Sequence, residues 1–247
     1  MNKNTIGFFI LLMASVCTYG QLNSSPTSEA GMFANARGGN PMLNLAMADL
    51  RAKGNKTEYE GETVGSPYLN EKFTLSKLYY DNEELGDFYI RYNALNSEIE
   101  IKESLETEEV KRLIADKKIS IKYGTKALRF TTYINKKKET KNGYLSLINE
   151  GANYKLFHRL AIKYVEGKAA ANSMVNAVPS RFAPFIEFYY QEEGVDRIDQ
   201  LSQRKGGLLK QIKKEHKEVA KTYLKENSID LDKEEDLITL FNYLNTL

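Results

Sequence analysis

The sequence predicts an α+β protein: an antiparallel β meander or small sandwich, with a short inserted helix and a C-terminal helical pair. Three observations carry this. From about Lys72 to Glu166, apolar and polar residues alternate with period two, as on half-buried strands. Turn-forming residues such as Asp81-Asn82 and Ala94-Leu95-Asn96 separate the alternating runs. After about Ser202 the apolar spacing changes to that of helices.

The first twenty residues read as a signal peptide. Asn2-Lys3-Asn4 is a short basic start, Ile6 to Ala14 is an apolar run, and Thr18-Tyr19-Gly20 supplies a cleavage site before Gln21. The apolar run is too short to cross a bilayer core of about 30 Å as a helix. A lipid anchor at Cys17 is the weaker reading, because Val16 stands where such signals carry Gly or Ala. Cleavage leaves 227 residues with 34 basic and 33 acidic side chains and no cysteine. The expected location is therefore outside the cytosol, periplasmic or associated with the outer envelope. Disulfides are excluded in the cleaved chain, and its near-neutral charge provides no field to attract nucleic acid. No transmembrane span is expected in it.

Residues 21–70 read as a flexible leader, rich in Gly, Ser and Asn, with one short helix from Pro41 to about Lys53. Asn40 caps that helix, Leu43, Ala46, Met47 and Leu50 share a face, and Gly54 ends it. Residues 71–201 form the β-rich domain. Strands are expected around 72–80, 87–93, 97–103, 119–123, 128–135, 143–149 and 154–166. In Ser97 to Glu103, Ile99 and Ile101 face one way and Glu98, Glu100 and Lys102 the other. Glu106 to Ala115 reads as the inserted helix, capped by Thr107, with Val110, Leu113 and Ile114 inward. Lys168 to Ala177 is a connection, and 185–191 pairs with 195–201 as a last hairpin across Glu192-Glu193-Gly194.

Residues 202–247 form the helical segment. Leu209, Ile212, His216, Val219, Ala220 and Tyr223 mark one face of a long helix, with Lys210, Lys214, Lys217, Lys221 and Lys225 on another. Asp232-x-x-Glu235 reads as a capping box for the last helix, whose apolar stripe is Leu237, Ile238, Phe241 and Leu244.

Metal chemistry is poorly supplied. The chain has two His, His158 and His216, far apart in sequence and on different elements. Both read as core or interface residues. Asp230, Asp232, Glu234 and Asp236 resemble a calcium loop, but Glu235 occupies the position that needs Gly, so they read better as the acidic start of a helix. No metal and no cofactor is expected.

A catalytic set is not recognisable. Ser202-x-x-Lys205 matches a serine–lysine spacing without its companion motifs, and Ser202 is better read as a helix cap. Glu98 and Glu100 lie about 7 Å apart on one strand face, a spacing shared by any solvated strand. Gly206-Gly207, after Arg204-Lys205, reads as a loosened helix start rather than an anion nest.

Two features point to contacts. Residues 203–225 carry eight Lys and Arg against two Glu. Lys210, Lys214, Lys217 and Lys221 are the candidate partner-binding residues on that stripe, toward an acidic envelope protein or an anionic surface. The chain also holds 16 Tyr and no Trp. Tyr79, Tyr80, Tyr89, Tyr92, Tyr189 and Tyr190 lie on expected strands, where cross-strand packing competes with sugar binding.

Three groups of residues resemble a family together. They are Glu60-Gly61 with Gly65-Ser66-Pro67-Tyr68-Leu69-Asn70, then Leu85-Gly86 to Arg91-Tyr92-Asn93 with Glu98-Ile99-Glu100, and finally Glu234-Glu235-Asp236-Leu237-Ile238 with Phe241-Asn242-Tyr243-Leu244-Asn245. Over roughly residues 58–247 the chain resembles a family of uncharacterised exported proteins of Gram-negative bacteria. The resemblance implies export and a shared fold, and no activity.

The resulting expectation is a non-enzymatic exported envelope protein acting through protein or surface contacts. The alternative is a glycan-binding or glycan-cleaving envelope protein using Tyr and carboxylates. A third reading is a carrier with an apolar cavity in the β core.

Overall fold

A computed structural model describes residues 63–247 except 171, 173 and 175. The expected signal peptide and the helix from Pro41 lie outside the described residues.

The α+β class holds, and the sheet is far more extensive than a small meander. Among the described residues, eleven strands join one mixed sheet: β1 Thr63–Val64, β2 Thr74–Tyr80, β3 Glu83–Asn93, β4 Glu98–Lys102, β5 Lys111–Arg112, β6 Ile119–Tyr123, β7 Lys126–Ile134, β8 Thr140–Glu150, β9 Tyr154–Val165, β10 Ser180–Glu192 and β11 Asp199–Gln200. The order is β1-β10-β9-β8-β7-β6-β2-β3-β4-β5. β11 lies off this path. It pairs antiparallel with β10 and parallel with β7, so β7 through β11 close into a ring.

Local chemistry explains the corners. Asp81 and Asn82 both take positive φ in the β2–β3 turn, where Asn and Asp are tolerated and the twist suits a hairpin. Gly86, at φ 136°, sits opposite Leu78 where the β2–β3 register shifts. Pro184 lies in a stretch of β10 that has β9 on one side and, among the described residues, no second strand between Arg181 and Tyr189. An edge position tolerates its missing N–H.

The stretch 63–70, expected as the end of the leader, is built into the sheet. β1 pairs with β10, Tyr68 bridges Asn93, and the Ala94 N–H donates to the Pro67 carbonyl at 3.0 Å.

The inserted helix over 106–115 is not formed. Lys111–Arg112 instead adds a strand to β4, and the Leu113 N–H donates to the Ile99 carbonyl at 2.8 Å. Val110, Leu113 and Ile114 fit helical spacing, yet so short an apolar pattern cannot separate a helix from an extended edge. The open edge of β4 supplied hydrogen-bond partners that a lone helical turn lacks.

The last hairpin is found, with changed bounds. β10 begins at Ser180, and 195–198 is irregular before β11. The long basic helix is broken into α1 Lys205–Gln211, a 3-10 turn Lys214–His216 and α2 Lys217–Glu226. Ile212 is extended at the break, and Lys213 leaves the helical region at φ −50°, ψ 141°. The Lys213 N–H donates to the Tyr154 hydroxyl at 2.9 Å, and Tyr190 donates to the Gln211 carbonyl at 3.1 Å. Two strand tyrosines thus take over backbone groups that a continuous helix would pair internally. The last helix, α3, spans Glu234–Leu244, and its N-cap is Lys233 with no side-chain cap. The capping box is therefore absent. The Asp236 carboxylate instead accepts from the Asp230 N–H at 2.8 Å.

Packing divides into three regions. Leu78, Phe88, Ile90, Tyr92, Ile99, Ile119, Ile121 and Tyr144 fill the space under β2–β6. Tyr154, Leu156, Phe188, Leu208, Leu224, Leu237 and Phe241 bind the helices to β9 and β10. Tyr133, Leu145, Tyr189 and Ile198 fill the closed ring.

Candidate functional site

The β4–β5 edge and the β7–β8 hairpin leave a cleft of about 940 Å³ between them. Asn96, Ser97 and Glu98 come from the turn into β4. Arg112 to Ala115 come from β5 and the chain after it, and Phe130, Asn142 and Tyr144 from the hairpin.

Glu98 and Arg112 form an ion pair at 3.1 Å. Burial raises the Glu98 carboxyl above its ordinary range, against the pull of Arg112. Ser97 is held at φ 56°, and its Oγ accepts from the Arg159 guanidinium at 3.0 Å. Arg159 also donates to Glu187 at 2.9 Å, where the Tyr189 hydroxyl donates to the same oxygen. Gln200 donates to the other Glu187 oxygen at 3.2 Å. A side chain of the cleft is thereby tied into the polar interior of the closed ring. Asn142 accepts from Thr132 at 2.8 Å, leaving its amide N–H groups toward other partners. Behind these groups, the Tyr144 ring meets Tyr92 edge to face at 5.9 Å and Phe130 at 5.3 Å. The cleft is therefore a fixed array of donors and acceptors over an aromatic backing.

A second polar cluster has a buried His158 and half-buried Glu234 and Lys126. His158 Nδ1 lies 2.6 Å from Glu234, whose carboxylate also takes Lys126. Burial pushes the His158 pKa down, opposed by Glu234 and assisted by Lys126. Burial alone would raise Glu234, but hydrogen bonds from Lys126 and His158 outweigh it and hold the carboxyl low. Glu234, held low as a carboxylate, can only accept in this contact, so His158 Nδ1 is the donor. Ser146 stands directly across from His158 on β8. Ser, His and a carboxylate thus line up in relay order. The order does not make a hydrolase site: Ser146 is 0% exposed, so no carbonyl can reach it, and neither Ser146 Oγ nor His158 Nε2 has a hydrogen-bond partner among the described residues.

The candidate contact lysines do not share one helix. Lys210 is on α1, Lys214 on the 3-10 turn, and Lys217 and Lys221 on α2. Lys210, Lys214 and Lys221 are exposed and Lys217 is half-buried. His216 is buried against the Tyr154 hydroxyl at 3.1 Å. Glu98 and Glu100 part company: Glu100 is held by Arg91 and by the Tyr68 hydroxyl at 2.9 Å, outside the cleft. Ser202 accepts from the Arg204 N–H at 3.3 Å beside the start of α1. A Cβ on Gly207 would lie 2.1 Å from Ser202 Oγ, so Gly207 serves a close approach there. Of the named tyrosines, Tyr80, Tyr89, Tyr92, Tyr189 and Tyr190 are buried and Tyr79 is half-buried. Among the described residues, no group of three His, Cys, Asp or Glu is placed to hold a metal, and no helix is long and apolar enough to cross a membrane.

Sequence reasoning missed Arg112, Asn142 and Tyr144 as cleft residues, and Lys126 and Ser146 as partners of His158. Ser146 left a faint signal, a polar residue inside Tyr144-Leu145-Ser146-Leu147-Ile148. Comparison with protein-family models, curated proteins and solved structures finds no match to this chain.

Proposed function

We propose that this chain is an exported, non-enzymatic envelope protein that acts by contact, and that the contact is made in the cleft between β4–β5 and β7–β8. One observation carries the reading. Asn96, Ser97, Glu98, Arg112 and Asn142 offer donors and acceptors of both senses to one open space, three of them on strands and two on the tight β3–β4 turn. Such an array recognises polar chain segments, whether peptide or saccharide. The N-terminal segment and the family resemblance support export. The lysines Lys210, Lys214, Lys217 and Lys221 remain a second surface for an acidic partner.

The half-buried Phe130 behind the amides favours a glycan as the second reading. Cleavage by the Glu98–Glu100 pair is disfavoured, because Glu100 is engaged by Arg91 and Tyr68 away from the cleft.

The test combines cell fractionation with capture from native envelopes and a glycan array, using the native chain, Asn142→Ala and Arg112→Glu. The reading expects envelope fractions to hold the protein and both variants to lose the captured ligand while keeping the native melting temperature. Retention of the ligand by both variants would reject the cleft. Recovery in the cytosol would reject the placement.

A further inference from the structure

The geometry points to a separate binding site for a phosphate ester, in a cavity formed by the β7–β8 turn, β11 and the start of α1. The cavity is about 670 Å³ and brings together Lys136, Lys138 and Arg204 with Ser202 and Gln203, against one carboxylate, Asp232. These cations come from two parts of the chain more than sixty residues apart. Among the described residues no ion pair engages any of the three.

The frame beneath them is rigid. Asn135 Oδ1 accepts from the Lys137 N–H at 2.9 Å and the Glu139 N–H at 3.0 Å, which fixes the turn. The Lys136 N–H donates to Gln200 at 2.8 Å. Gln211 then clamps the opposite wall, accepting from the Ser202 N–H at 2.7 Å and donating to the Gln200 carbonyl at 2.8 Å. The backbone is thus already paired, and the charged ends of Lys136, Lys138 and Arg204 are left for a ligand.

Three cations against one carboxylate leave a surplus of two positive charges, which a phosphate monoester dianion neutralises. A guanidinium fork with two ammonium groups suits its tetrahedral oxygens. The volume lies in the range of organic ligands, about 300–1,000 Å³, so the phosphate is carried on a larger group. Ser202 and Gln203 provide neutral hydrogen-bonding groups suited to hydroxyls on that carrier. Both a free phosphorylated sugar and a phospholipid headgroup have this chemistry.

The experiment titrates the native chain at low salt with glucose phosphate, with glucose, and with phosphatidylcholine vesicles with and without phosphatidylglycerol. Two variants of equal charge change are compared: Lys136→Glu with Lys138→Glu, and Lys117→Glu with Lys122→Glu, two exposed lysines outside both the cavity and the cleft, as the control. Arg204→Gln is the milder variant should the double reversal unfold. The site predicts binding of glucose phosphate but not glucose, weakened about tenfold or more by the cavity variants, little changed by the control, and weaker in high salt. Binding to phosphatidylglycerol vesicles alone, lost in the same variants, supports a lipid headgroup as the source. Failure of both probes to bind, or equal losses in cavity and control variants, overturns the site. Because the cleft residues are untouched, the result is independent of the proposed contact function.

Discussion

Asn245 completes both backbone hydrogen bonds of Tyr154. Its Oδ1 accepts the Tyr154 N–H at 2.7 Å, and its Nδ2 donates to the Tyr154 carbonyl at 3.1 Å. The same oxygen accepts from the Asn153 N–H at 3.0 Å. One side chain at the end of α3 thus acts as a strand partner where β9 begins. Asn245→Ala leaves the Asn153 and Tyr154 N–H groups without this acceptor, while the Tyr154 carbonyl keeps the Gly151 N–H at 3.2 Å, and is expected to cost about 2–3 kcal/mol in urea unfolding. Gly151→Ala should destabilise the same strap, since its Cβ would stand 2.3 Å from Asn245 Cγ.

Arg91 binds the amino-terminal segment to the sheet. Its guanidinium lies 3.8 Å from the Tyr68 ring centroid and 4.5 Å from that of Phe73, while it donates to Glu100. Arg91→Lys keeps the charge and loses the planar fork, so a loss of about 1–2 kcal/mol is expected. Limited proteolysis should then cut first near residues 67–73. Unchanged protection would remove this clamp from the account.

Stability should fall on acidification through His158. Its folded pKa is below the unfolded value of about 6.5, so the unfolded chain binds more protons in that window. The contribution is present above the unfolded pKa and is lost as pH falls through the folded one. Glu234, also lowered, adds a further loss as pH falls below about 4.3. Denaturant midpoints between neutral and mildly acid pH should drop in the native chain and drop less in His158→Gln. Parallel curves would contradict the assignment.

Ser146→Ala should be nearly neutral or slightly stabilising, within about 0.5 kcal/mol, because the hydroxyl is buried without a partner among the described residues. A large loss of stability would mean that the hydroxyl has a partner after all.

Tyr154→Phe removes the acceptor of the Lys213 N–H and the partner of His216. It is expected to cost about 1–2 kcal/mol and to raise amide exchange at Lys213 above that of its neighbours. Exchange unchanged at that amide would mean the break between α1 and α2 has another cause.

Much of the strand pattern was legible. Residues 119–123 alternate cleanly and form β6 with those bounds, and the apolar stripe of Leu237, Phe241 and Leu244 forms the buried face of α3. The candidate sites were not legible. Asn142 and Arg112 share a cleft because β5 and the β7–β8 hairpin come from opposite arms of a curled sheet, and no periodicity records which arms approach. The break at Ile212-Lys213 was hidden for the same reason. Residues 203–225 satisfy helical spacing throughout, while at the break the hydroxyls of Tyr154 and Tyr190 take up the Lys213 N–H and the Gln211 carbonyl.

Local side-chain alternation determined which segments extend or coil, because burial of one face depends on residues close in sequence. Alternation carried that information for β6 and β9 and helical spacing for α3, and charge content placed exposed lysines on the helical segment. Tertiary structure alone decided that β11 closes a ring between β10 and β7, that residues 111–112 become a strand, and that Lys136, Lys138 and Arg204 meet in one cavity. Those outcomes depend on unpaired backbone edges and on side chains distant in sequence, whose hydrogen bonds form only once the sheet has curled.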